Sequence, residues 1–106
     1  MRNVLDHLTG FQWDDGNSGR DAAKYEASDW ECEEVFFNLP LVVRADVEHS
    51  FAERRYYVLG QTSRGRWLFG SFTVRGDLIR PISFRDMNAR EQKIYGDQKE
   101  GSDVRE

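Results

Sequence analysis

The chain is poor in the residues that staple a small protein together. Its 106 residues include one cysteine, two prolines and two histidines. The lone Cys32 excludes an intrachain disulfide, and no Cys/His cluster has the spacing of a zinc site, so no metal and no cofactor is expected. A reducing, intracellular setting fits that usage. Long apolar runs are absent too. The stretch Met1-Arg2-Asn3-Val4-Leu5-Asp6-His7 is broken by charge and reads as neither a secretion signal nor a membrane anchor, so a cytoplasmic protein without a membrane partner is expected. No internal repeat is visible. Disorder is excluded by three Trp, four Tyr and seven Phe. A chain of this length makes one domain with a modest core, here residues 1–106 with the core over about 11–96 and a polar tail over 97–106.

What the chain does have is charge, unevenly divided. Residues 1–53 hold twelve Asp/Glu against four Lys/Arg, and residues 54–96 hold nine Lys/Arg against three Asp/Glu. The net charge of −4 therefore hides a basic second half. Its cations are Arg54, Arg55, Arg64, Arg66, Arg75, Arg80, Arg85, Arg90 and Lys93, interleaved with Tyr56, Tyr57, Trp67, Phe69, Phe72, Phe84 and Tyr95. A guanidinium grips phosphate with two parallel hydrogen bonds and stacks on flat rings. Arginines mixed with aromatics suit single-stranded nucleic acid; solvated strand arginines are the plain alternative. The acidic helical half, with Glu26, Asp29, Glu31, Glu33 and Glu34, would repel RNA and confine it to the arginine side, or receive a basic partner segment.

The local pattern predicts an α+β domain: two N-terminal helices, an antiparallel meander and a C-terminal helix. Phe11-Gln12-Trp13 alternates like a short strand before the turn signal Asp14-Asp15-Gly16-Asn17. A first helix is expected over about 18–26. Ser28-Asp29-Trp30-Glu31 is a capping box that opens a second helix reaching about Phe37, with Asn38 as a left-handed stop before Pro40. Trp13 and Trp30 are expected in the core. Strands follow at Arg55–Gly60, Arg66–Val74 and Leu78–Ser83, joined by turns containing Gly65 and Gly76-Asp77. The middle one carries large apolar residues at both parities, so it is central and covered on each face. Pro81 cannot donate to a ladder, which puts its strand near an edge. Asn88-Ala89-Arg90-Glu91 starts a last helix that reaches Tyr95 and ends at Gly96.

These segments also carry a family likeness. Phe11-Gln12-Trp13-Asp14, Glu33-Glu34-Val35-Phe36, Glu48-His49-Ser50, Glu53-Arg54-Arg55-Tyr56, Gly60-Gln61-Thr62-Ser63, Ile79-Arg80-Pro81-Ile82-Ser83, Arg85-Asp86-Met87 and Arg90-Glu91 occur in the order and spacing of the BrnT-type toxins. The chain resembles that family of RelE-like ribonucleases from bacterial type II toxin–antitoxin pairs. The resemblance implies a metal-independent endoribonuclease that uses the 2′-hydroxyl of RNA against the adjacent phosphate. It also implies a cognate BrnA-like antitoxin protein, with DNA contacted only indirectly through that antitoxin. The chain departs from the family pattern at Tyr25, where a His is usual, and at Phe84, where a small residue is usual. The second departure predicts a reshaped pocket beside Arg85. A non-catalytic BrnT-like protein that binds an antitoxin or RNA without cleavage is the alternative.

Candidate catalytic residues follow. Arg80 and Arg85 match the family's paired arginines and are the first choice for gripping phosphate. Lys24 matches the lysine before the second helix and would stabilise charge or act as a base. Tyr95 would serve as acid, base or stacking platform, or else as a half-buried core residue. Arg64, Arg66, Arg75, Arg90 and His49 are candidate RNA contacts, with His49 as readily a brace for its own connector. Strict alternation sends residues 80 and 85 to opposite faces of their strand. They converge only if strand geometry breaks near Ser83 or Phe84.

Overall fold

The computed structural model of the chain describes residues 5, 8–14, 16, 17, 27–49 and 53–104, with 49 and 100–104 described through their backbone. The helix expected over 18–26 lies outside these residues. The elements run β1 (Gly10–Phe11), α1 (Asp29–Val35), β2 (Val42–Ala45), a 3-10 turn at Val47–His49, β3 (Arg55–Gln61), β4 (Trp67–Arg75), β5 (Leu78–Asp86) and α2 (Ala89–Val104). The strands form one sheet in the order β1-β5-β4-β3-β2. β2 to β5 pair antiparallel in sequence order, while β1 adds a short parallel partner to β5, so the sheet is mixed.

The two hairpins form because glycine sits where the backbone needs a positive φ. Gly65 has φ +89 between β3 and β4, and Gly76 has φ +63 between β4 and β5. β4 is the central strand and buries residues of both parities. Leu68 and Phe72 point to one face, where they pack with Val58, Ile79, Phe84 and the α1 residues Cys32 and Val35. Trp67 and Phe69 point to the other face, where they pack with Val42, Leu59, Met87 and the α2 residue Tyr95. Each fully buried aliphatic or aromatic side chain contributes about 1.5–3 kcal/mol through removal from water.

α1 opens as its sequence demands. Glu31 Oε1 accepts the Ser28 backbone N–H at 3.1 Å and its hydroxyl at 3.0 Å. Its end differs from expectation. Among the described residues no non-glycine has a positive φ, so Asn38 is not a left-handed stop. Its side-chain amide instead donates to the Glu34 carbonyl at 3.0 Å and the Gln61 carbonyl at 3.1 Å, tying the helix end to β3. Trp30 is 52 % exposed rather than in the core, because the buried side of this short helix is taken by Cys32 and Val35. α2 also differs: it passes through Gly96 and continues to Val104. The Asn88–Glu91 box starts it as expected, with Asn88 Oδ1 accepting the Glu91 N–H and Glu91 Oε1 accepting the Asn88 N–H, both at 2.9 Å.

β5 is second from the edge, and beyond Ile79 its outer side meets other groups than a strand. Asn17, which is buried, donates its amide to the Pro81 carbonyl and the Gln12 carbonyl, both at 3.0 Å. Pro81, which has no N–H, thus lies where no ladder donor is required. Phe84 lies over Gly70 in the core, and a Cβ on Gly70 would land inside its ring. It points away from Arg85, so the expected reshaping of a pocket beside Arg85 by Phe84 is not found. The large ring is accommodated by the missing side chain across the ladder. Gly70→Ala is expected to destabilise the fold by about 1–3 kcal/mol through overpacking. Combining it with Phe84→Leu should lose less than the sum of the two single changes, which a double-mutant cycle by denaturant unfolding will read.

Candidate nucleic-acid interface

One extra residue builds the arginine face. In the β4–β5 ladder Ser71 pairs with Ser83 but Phe72 pairs with Pro81, so Ile82 is a bulge. Side-chain parity reverses there. Ile79 and Phe84, an odd and an even position, therefore share the α1 face. Arg80 and Arg85 consequently share the opposite face, opposite Thr73 and Phe69 respectively. The strand breaks as convergence requires, one residue before Ser83. Across the sheet, that face reads Arg55, Thr73, Arg80 in one row, then Tyr57, Ser71, Ser83, then Leu59, Phe69, Arg85. Residues 73 and 69 are four strand steps apart, so the two arginines are anchored about 13 Å apart. In the structure their guanidiniums are held by different carboxylates, Arg80 by Asp14 and Arg85 by Glu91.

Arg80 lines a hollow of about 180 Å³ with Glu53, Arg55, Thr73, Arg75 and Asn17. Its guanidinium forks onto Asp14, with Nη1–Oδ2 at 2.8 Å and Nη2–Oδ1 at 3.1 Å, and Nη1 also reaches Gln12 Oε1 at 3.3 Å. Asp14 is aimed by its own turn: its Oδ1 accepts the Gly16 N–H and its N–H donates to Asn17 Oδ1, both at 2.8 Å. The Arg80 hydrogen bond, helped by Gly16, holds the Asp14 carboxyl below its usual value of 3.8. Arg75 forks onto Glu53 in the same way, at 2.8 and 3.0 Å, and lowers that carboxyl too. Between Arg55 and Arg80 in the ladder, the buried Thr73 Oγ1 meets no hydrogen-bond partner among the described residues. The hollow thus holds guanidinium forks already closed on carboxylates, the groups whose geometry most resembles phosphate.

Arg85 stands beside a second, larger hollow of about 310 Å³, lined by Arg44, Tyr57, Phe69, Asn88, Arg90 and Ile94 among others. Its guanidinium lies 4.4 Å from the Phe69 ring centroid. It forks onto Glu91, with Nη1–Oε1 at 2.8 Å and Nη2–Oε2 at 2.9 Å, and Nη1 reaches the Asp86 carbonyl at 3.0 Å. Burial pushes the Glu91 carboxyl up, but the Arg85 hydrogen bonds and the Asn88 N–H outweigh it and leave it below 4.5. Arg85 therefore clamps the first turn of α2 onto the sheet.

The other candidates are dispersed. Tyr95 is fully buried under α2, its hydroxyl donating to the Pro40 carbonyl at 2.6 Å and its ring edge-on to Trp67 at 4.8 Å. Burial, opposed by a hydrogen bond with Gln61, pushes its phenol up to about 12. That environment is a core environment and gives no base near neutral pH. Lys24 and Tyr25 lie outside the described residues, and the same holds for the His49 side chain. Arg66 turns to the α1 face, pairing with Asp86 at 2.7 Å and Glu31 at 3.0 Å. Arg64 is exposed in the β3–β4 turn, Arg75 joins the Arg80 hollow, and Arg90 joins the second hollow. The reasoning from sequence missed Asp14, Glu53, Arg55 and Thr73 as site residues. A signal for the first three existed: Trp13-Asp14, Glu53-Arg54-Arg55 and Ile79-Arg80-Pro81 are separate resemblance segments, and they meet in one hollow.

Residues 13–91 match the family model described as the ribonuclease toxin, BrnT, of type II toxin–antitoxin systems. The chain belongs to the BrnT toxin family. The matched span contains Asp14, Glu53, Arg55, Arg80, Arg85 and Glu91, so the first hollow of this BrnT chain and all of the second but Ile94 fall within it, while most of α2 lies beyond. No curated protein and no solved structure matches the chain. Among the described residues no helix is long and apolar enough to cross a membrane.

The two largely buried paired carboxylates, Glu91 on Arg85 and Glu31 on Arg66, set an acid limit. Their folded pKa values are lowered, so their contribution to stability is fully present above the unfolded value near 4.5 for Glu and is lost as pH falls through the folded value. Thermal unfolding followed by circular dichroism should show a plateau above about pH 5 and a fall below about pH 4.5. Glu91→Gln should cost about 1–3 kcal/mol at pH 7, because it leaves Arg85 with a poorer partner, and should make the acid fall shallower.

Proposed function

We propose that this BrnT chain is a metal-independent endoribonuclease toxin whose RNA lies across the open half of the arginine face. The 2′-hydroxyl gives up its proton and bonds to its adjacent phosphorus, the bond to the 5′-oxygen breaks and that oxygen takes up a proton, leaving a 2′,3′-cyclic phosphate and a 5′-hydroxyl, and charge on the phosphorane is met by guanidinium groups. The observation that carries this reading is the Ile82 bulge, which gives Arg80 and Arg85 one face and surrounds Arg80 with Arg55 and Arg75. A phosphate enters by taking the fork that Asp14 holds, since a carboxylate and a phosphate present the same pair of oxygens to a guanidinium. Released from Arg80, Asp14 is a carboxylate beside the bound phosphate. Arg85 keeps Glu91 and offers the next phosphate its remaining N–H groups. Lys24 is proposed to stabilise charge or take a proton, as the resemblance implies, and Tyr95 is assigned to packing beneath α2. A cognate antitoxin neutralises the toxin.

A second reading has its own support. Arg75, Arg80 and Arg85 are all engaged by carboxylates, which fits a protein that binds a partner or RNA without cutting. Expression in bacteria separates the two. The toxin reading expects arrested growth, and RNA cleavage by purified protein that persists in EDTA. Arg80→Ala should lower the cleavage rate by on the order of 100-fold with the thermal midpoint little changed. Harmless expression of folded, antitoxin-binding protein would decide for the second reading. Asp14→Asn should tighten RNA binding, because it removes the negative charge that competes for Arg80, and titration of a labelled RNA will read the change.

A further inference from the structure

The second hollow is not used by the phosphate chemistry above. Its floor is the end of a stack. The Arg85 guanidinium lies over Phe69, and Phe69 stacks on Tyr57 with ring centroids 5.9 Å apart and planes inclined at 28°. Tyr57 then lines the hollow of about 310 Å³, opposite Ile94 of α2. An aromatic ring on an open sheet face, next to an arginine that faces phosphate, is how single-stranded RNA is held by its bases. The polar groups at the rim sort by what they can still do. Glu91 is committed to Arg85 and to the Asn88 N–H. Asn88 spends its carbonyl oxygen on the Glu91 N–H, which leaves its NH₂ to donate. Arg44, with one N–H on the Val43 carbonyl, and the exposed Arg90 are donors only.

We propose that this hollow is a nucleobase subsite of the RNA substrate, with Tyr57 as the stacking platform and Arg90, Arg44 and Asn88 reading an acceptor edge. A rim with three donor side chains and little acceptor capacity left on Glu91 favours guanine, whose O6 and N7 accept from one guanidinium in parallel. Adenine places a donor beside its N7 and is disfavoured by that rim. The same cavity, filled instead by a side chain of a protein partner, would show no base preference. This inference rests on the proposed RNA reading.

The test uses the full chain and 2′-O-methyl tetranucleotides of uridine carrying one G, A or C, which cannot be cleaved. Binding is read by quenching of tyrosine and tryptophan fluorescence. The G-containing ligand should bind tightest. Tyr57→Leu should weaken it by roughly ten-fold, while Tyr57→Phe should retain it. Arg90→Gln should narrow the gap between G and A ligands without changing binding of the all-uridine strand by more than its one lost charge. If Tyr57→Leu lowers the thermal midpoint, Arg90→Gln on the exposed rim decides alone. Equal affinity for all bases, with cleavage intact, overturns the subsite and leaves the ribonuclease reading standing. Absence of any RNA binding overturns both. Loss of antitoxin binding in Tyr57→Leu and Arg90→Gln with RNA binding unchanged reassigns the hollow to the protein partner and overturns the subsite.

Discussion

The arrangement depends on one residue too many in β5. Ile82 has no partner opposite it on β4, and that single insertion lets both parts of the strand satisfy the sheet. Ahead of it Ile79 faces the α1 core, and behind it Phe84 does. Without the insertion one of them would turn out to the solvent and one arginine would turn into the core, a reversal that costs several kcal/mol from the exposed apolar area and the buried charge together. The bulge is therefore enforced by packing on one face, and its consequence on the other face is that Arg80 and Arg85 stand on the same side. Hydrophobic register does the work of placing the polar site.

The division of charge along the chain has a structural meaning. Asp14 pairs with Arg80, Glu31 with Arg66 and Glu53 with Arg75, in each case an acid of the first half with an arginine of the second. The halves thus neutralise each other inside the fold. The acids of α1 are also occupied locally: Glu33 accepts the Trp13 indole N–H at 2.7 Å and Glu34 accepts the Ser63 N–H at 3.0 Å. An acidic face that merely repels RNA is too simple a description. The exposed forks contribute little to stability in water. That weakness as structural elements fits the proposed exchange of a carboxylate for phosphate.

Much of this was legible in the sequence because it is local. Ser28 with Glu31 and Asn88 with Glu91 are short-range capping pairs, and both close as read. Gly65 and Gly76 mark the hairpins, and the two-faced hydrophobicity of β4 announces a sheet covered on both sides. What was not legible depends on partners distant in the chain. The Ile82 bulge is invisible until β4 supplies a ladder to measure against. Phe84 reads as a large residue in a small residue's place, and only Gly70 across the ladder explains how it fits. Tyr95 reads either as a functional phenol or as a half-buried core residue, and only the docking of α2 shows it sealed against Pro40 and Trp67. Gly96, read as a stop, also hid the length of α2, which passes through it close to Trp67.

The two arginines do not have equal freedom, and the difference orders their roles. Arg85 fixes the start of α2, and Glu91 serves it and the helix cap at once. Letting go of Glu91 would release the first turn of α2 from the sheet. Its Nη1 is fully used by Glu91 and Asp86, which leaves Nε–H and one Nη2–H of its five donors. Arg85 can therefore touch a phosphate only while remaining a clamp. Among the described residues Asp14 caps no helix, and its side chain is 53 % exposed while that of Arg80 is 15 % exposed. On the proposed reading, a phosphate displaces this outer partner from a guanidinium that the sheet already holds in place. Arg80 is the arginine whose partner can change, and Arg85 is the one whose position is guaranteed.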